Sequence, residues 1–176
     1  MNKVIVFFLS VLVLFVFVSC NNGGIPSDTH PATGTPTETV GIPVKNEEAW
    51  YFVLDGVRID LLKALPGNMP EPERIFEIDS CASQGKDNVY DYGSLQIITY
   101  NDKGTEIPYN IEFFDENAAT VEGVSIGQTY DRMIEVYGSE FKKTVWYDYV
   151  RGDVTLSFKI DEGVITGIVY EAKIKF

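Results

Sequence analysis

Side chains able to do chemistry are sparse in this sequence, and their placement excludes most mechanisms. There is one histidine, His30, and there are two cysteines, Cys20 and Cys81. A serine or cysteine nucleophile ordinarily needs a neighbouring imidazole to accept its proton, and a zinc centre draws on several Cys or His ligands. His30 stands in a stretch rich in Pro and Thr, so the part that must fold offers neither set. Cys81 follows Glu77 and Asp79, whose charges oppose thiolate formation, and it reads as a structural, slowly reacting thiol. Carboxylates remain, for instance Asp87 with Asp91 or Asp115 with Glu116. None falls in the alternating pattern of an EF-hand. With 26 acidic residues in the chain, close pairs arise by chance, and solvated loops and turns account for them. The expectation is a noncatalytic protein with no cofactor and no metal. A carboxylate-based hydrolase or carbohydrate-active enzyme of the cell envelope is the alternative.

Aromatic residues are the more informative excess. Tyr90 and Tyr92 stand close together, as do Trp146, Tyr147 and Tyr149. If Lys143 to Val150 is one strand, alternation sends Val145, Tyr147 and Tyr149 to one face and Thr144, Trp146 and Asp148 to the other. Both faces cannot belong to the same core. One set then lies on an open sheet surface, where Tyr and Trp favour recognition, unless a helix or the N-terminal tether covers it. The expected binding surface carries Trp146, with Tyr90 or Tyr92 as its nearest companions, and its partner is an envelope protein or peptide.

The elements that would hold these residues begin after a processed N-terminus. Lys3 precedes an apolar run from Val4 to Val18 broken only by Ser10, and the run ends at Ser19-Cys20. It is short for a membrane span, which needs about 20 apolar residues, and it has the layout of a signal peptide. Phe17-Val18-Ser19-Cys20 resembles a bacterial lipobox, with Phe17 where Leu is usual. The resemblance implies cleavage before Cys20 and lipid on that cysteine; an uncleaved anchor or ordinary secretory cleavage is the other reading. Residues 1–19 are thus the signal peptide. Residues 20–47, with Pro26, Pro31, Pro36 and Pro43 and few large apolar side chains, form a tether that cannot bury enough surface to order itself. The membrane contact runs through lipid, on the extracytoplasmic face, a Gram-positive membrane being favoured. Cleavage leaves 13 Lys and Arg against 26 Asp and Glu, a net charge of −13. Nucleic acid is excluded as a partner, because binding a polyanion requires clustered cations.

An internal duplication follows the tether. Gly93-Ser-Leu-Gln-Ile-Ile-Thr-Tyr-Asn-Asp-Lys-Gly104 aligns without a gap to Gly152-Asp-Val-Thr-Leu-Ser-Phe-Lys-Ile-Asp-Glu-Gly163. Asp91-Tyr92 matches Asp148-Tyr149, Ile107 to Phe113 matches Val164 to Tyr170, and Gly56-Val-Arg-Ile59 matches Gly123-Val-Ser-Ile126. The copies span 48–119 and 120–176. In the second, Thr129 caps a short helix with Tyr130, Met133, Ile134 and Tyr137 on one face and Gly138 at its end. Strands are expected over Lys143 to Val150, Asp153 to Ile160 and Val164 to Ile174. In the first copy Leu61, Leu62 and Leu65 supply the helix, stopped at Pro66-Gly67. The fold class expected is α+β, with two tandem repeats, each a short helix packed on an antiparallel sheet.

The run Gly123 to Gly138 resembles a segment of small exported bacterial lipoproteins, relatives of the beta-lactamase inhibitor protein and of the outer-membrane assembly lipoproteins. That resemblance implies a unit of a short helical segment followed by an antiparallel sheet. It carries no functional residue onto this chain. Ser80 to Gly85 and Val89 to Tyr92 likewise resemble parts of Gram-positive lipoproteins.

Overall fold

The computed structural model describes residues 48–80 and 85–175. The signal segment, Cys20, the tether with His30, and Cys81 lie outside the described residues. Runs of alternating apolar and polar residues make most of the described chain strand. In chain order the elements are β1 (Tyr51–Leu54), β2 (Val57–Asp60), β3 (Arg74–Asp79), β4 (Lys86–Asp91), β5 (Leu95–Asp102), β6 (Thr105–Phe113), α1 (Tyr130–Tyr137), β7 (Lys142–Lys143), β8 (Tyr147–Arg151), β9 (Val154–Asp161) and β10 (Val164–Ala172). The hairpins β1–β2, β5–β6 and β9–β10 each turn on two residues of positive φ, Asp55-Gly56, Lys103-Gly104 and Glu162-Gly163. This geometry suits the twist of the flanking strands.

β1 and β2 form a separate ribbon, and the other eight strands make one antiparallel sheet in the order β3-β4-β5-β6-β10-β9-β8-β7. The duplicated segments Gly93 to Gly104 and Gly152 to Gly163 fall on β5 and β9, each with the turn that follows. The two copies share a single sheet, joined where β6 pairs with β10. Glu112 and Val169, matching positions of the two copies, are paired with each other there, flanked by Ile111 with Tyr170 and Phe113 with Ile168. A local two-fold axis therefore passes through the Glu112–Val169 pair.

One face of the sheet is buried. Ile97, Ile111, Phe113, Leu156, Phe158, Ile168 and Tyr170 meet Met133 of α1, Phe52 and Ile59 of the ribbon, and Trp50, Leu61 and Val124 in one core cluster. The expected α+β architecture with a helix in each repeat is corrected by this arrangement: the protein is mostly β, with one helix. In the second half Thr129 accepts a hydrogen bond from the Arg132 N–H and Gly138 closes α1 at φ 80. In the first half Leu61, Leu62 and Leu65 do reach the core, but from an irregular segment. Five residues before Pro66 are too few to offset the cost of nucleating a helix. Instead the amides of Leu62 and Leu65 donate to the carbonyls of Pro108 and Glu106 along β6 (both 2.8 Å). The loop that continues from them takes the helix's place over the sheet. Matching tyrosines show the equivalence: Tyr149 donates to the Gly138 carbonyl at the end of α1 (2.7 Å), and Tyr92 to the Pro70 carbonyl of the loop (3.3 Å).

The single strand expected over Lys143 to Val150 is also corrected. β7 and β8 are separate strands joined through Thr144, Val145 and Trp146, with the Thr144 N–H donating to the Trp146 carbonyl (2.9 Å).

Candidate functional site

The face of the sheet away from α1 is the candidate recognition surface, and Trp146 is its largest feature in the second half. Tyr147 and Tyr149 are on the core side, where Tyr149 packs against Tyr137 and Phe158. Trp146 leaves the β7–β8 turn on the opposite side. Its indole lies over Lys159 and Gly167, residues paired across β9 and β10. A Cβ on Gly167 would stand 3.2 Å from Trp146 Cη2. The missing side chain therefore makes the seat for the ring, which is half-buried. Around it the face is mixed: Ser157 donates to Asp148 (2.8 Å), while Val150, 47% exposed, and the half-buried Val169 supply apolar area. Gly167 and Lys159 were not legible as parts of this site, because only strand register brings them under Trp146.

Tyr90 and Tyr92 do not join Trp146. Both pack against the core side of the sheet, Tyr90 across from Ile97 on β5. β4 also lies five strands from β8, roughly 24 Å at the usual strand spacing. Burial pushes the phenols of Tyr90, Tyr92, Tyr137, Tyr149 and Tyr170 above their ordinary range, so none is poised to ionise near neutrality. Tyr137 contacts the Thr120 hydroxyl (2.6 Å) and the Glu122 carboxylate (2.7 Å). This clasp fastens α1 to the loop that precedes it.

The carboxylates are dispersed. Asp87 and Asp91 share the outer face of β4, four residues apart, about 13 Å along a strand. Asp91 is bound by Arg74 Nε (2.5 Å) and the Gly93 N–H (3.0 Å). Asp87 is fully buried and accepts from the Tyr109 hydroxyl (2.8 Å). Asp115 accepts from the Asn117 N–H (2.8 Å) as a loop residue, with Glu116 exposed beside it. Burial works against the charge of Glu106, but hydrogen bonds from Thr99, Asn101 and Asn88 prevail and lower its pKa. Glu73, Arg74, Asp91, Gly93, Gln96 and Phe114 line an open hollow of about 480 Å³. Its guanidinium is already committed to Asp91. Among the described residues no three His, Cys, Asp or Glu side chains converge as metal ligands, and no helix is long and apolar enough to cross a membrane.

No family model, curated protein or solved structure matches this chain.

Proposed function

We propose that this chain is an exported lipoprotein, anchored through Cys20 to the extracytoplasmic face of a membrane, whose sheet presents the surface carrying Trp146 to a protein or peptide without catalysis. The observation that carries the reading is the seat of Trp146. A large aromatic rests on the face that neither α1 nor the β1–β2 ribbon packs against, with Val150 and Val169 nearby. Tyr and Trp side chains at such positions bring large contact area with little entropy loss. The dispersal of the carboxylates, each held by its own partners, argues against paired acid and base catalysis.

Two experiments test it. Metabolic labelling with a radioactive fatty acid should mark the full chain and not Cys20→Ala; equal labelling of both would remove the anchor. A photo-crosslinking residue at Val150 or Val169, in cells making the lipidated chain, should yield one discrete adduct that Trp146→Ala abolishes. The same residue at Tyr90, on the core side, should yield none. Adducts indifferent to Trp146 would overturn the assignment of this face.

A further inference from the structure

The two ends of the eight-stranded sheet are built differently. At one end β7 is two exposed lysines, and beyond it Trp50 Nε1 donates to the Tyr149 carbonyl (2.7 Å). A short edge, lysines and a capped carbonyl are devices that keep sheet edges from pairing. At the other end β3, Arg-Ile-Phe-Glu-Ile-Asp, has none of them. It runs six residues in unbroken register against β4, and among the described residues no strand pairs with its far side. The Ser80 N–H closes on the Gly85 carbonyl (3.1 Å) in the same register. Strand alternation then turns the backbone groups of Arg74, Phe76 and Ile78 toward β4 and those of Ile75, Glu77 and Asp79 outward.

Side chains alternate on the same strand. Phe76 and Ile78 share the outer face with Val89, whereas Ile75, 55% exposed, lies with Glu77 and Asp79 on the other. Lys86 is ion-paired with Asp79, and Glu77 has no ion pair among the described residues. We propose that the β3 edge is a docking strand for an extended cationic segment of a partner protein. The segment adds as a ninth strand, its main chain bonding to Ile75, Glu77 and Asp79, with Lys or Arg against Glu77 and apolar residues against Phe76 and Ile78. Charge selects this occupant over a second copy of the chain. Antiparallel self-pairing about a two-fold axis at Phe76 or at Glu77 brings the two Glu77 carboxylates into diagonal or direct opposition, which destabilises the pair. The net charge of −12 adds general repulsion between copies.

This inference is independent of the Trp146 surface, and its test keeps the two apart. The probe is a labelled, end-capped Lys-Val-Lys-Val-Lys-Val-Lys peptide, titrated by fluorescence anisotropy against the full chain in detergent. Saturable binding is expected, with slower amide exchange at Ile75, Glu77 and Asp79 and no binding of the Glu-Val counterpart. N-methylation of alternate peptide amides, which leaves the protein untouched, should weaken binding about tenfold or more by removing main-chain bonds. Glu77→Lys should weaken it similarly and admit the Glu-Val peptide, while Trp146→Ala leaves affinity within about twofold. Binding indifferent to N-methylation or to Glu77→Lys would show simple electrostatic adsorption and overturn the proposal. A stable dimer dispersed by Ile75→Lys would overturn it in favour of a second copy.

Discussion

Lys103 and Glu162 hold φ of 52° and 47° as the first turn residues of their hairpins, where the third ribbon has Asp55. A long side chain in the left-handed region is strained, and Asn tolerates it best after Gly. Lys103→Asn and Glu162→Asn are each expected to stabilise the protein by about 0.5–1 kcal/mol in urea unfolding. Gly167 makes the opposite case: its φ is ordinary, so only space is at stake. Gly167→Ala should leave stability within about 0.5 kcal/mol while lifting Trp146 from its seat, read as faster acrylamide quenching of the more exposed tryptophan. Asp91 gives a pH dependence. Arg74 first, then the Gly93 N–H, hold its carboxyl below the usual range against the effect of burial. Its contribution is present above the unfolded value, about pH 4, and is lost as pH falls through the lower folded value. Asp91→Asn should flatten the fall of the denaturation midpoint below about pH 4, and an unchanged acid limb would show that the pair with Arg74 contributes nothing.

At the scale of elements, α1 depends on its ends. Thr129→Ala is expected to cost about 1 kcal/mol, because the Arg132 N–H loses its acceptor; chemical denaturation measures it. Those ends are also why α1 was legible: Thr129 and Gly138 mark a start and a stop that depend on the local chain alone. Leu61, Leu62 and Leu65 have helical spacing too, but nothing local says that the amides of Leu62 and Leu65 will find carbonyls on β6, more than 40 residues later in the chain. The β7–β8 turn was missed for a related reason. Thr144-Val145-Trp146 contains no Gly, Pro, Asn or Asp to punctuate a strand, so alternation was carried through a bend. The side of Trp146 could be anticipated by that alternation, but its distance from Tyr90 and Tyr92 could not. Strand order is a property of the sheet, and no local spacing records it.

Across the whole molecule, one core cluster joins both halves of the sheet to α1 and the ribbon. Unfolding should therefore be a single transition, with the fluorescence of Trp50, packed against the core, and far-UV circular dichroism coinciding; separated curves would show that the halves melt independently. Phe113→Ala, at the seam between β6 and β10, should cost about 3–5 kcal/mol and lower both probes together. The seam carries a further meaning through the axis at Glu112 and Val169. A two-fold in which a strand meets its own equivalent is the operator of an isologous dimer, and a single half carrying its own copy of that strand would assemble through the same contact from two molecules. Here residues 114–129 tether the partners, so what would be a meeting between molecules is a ring closure within one. Assembly of the recognition surface is for that reason insensitive to how much protein is present, a useful property for a protein scattered thinly over a membrane.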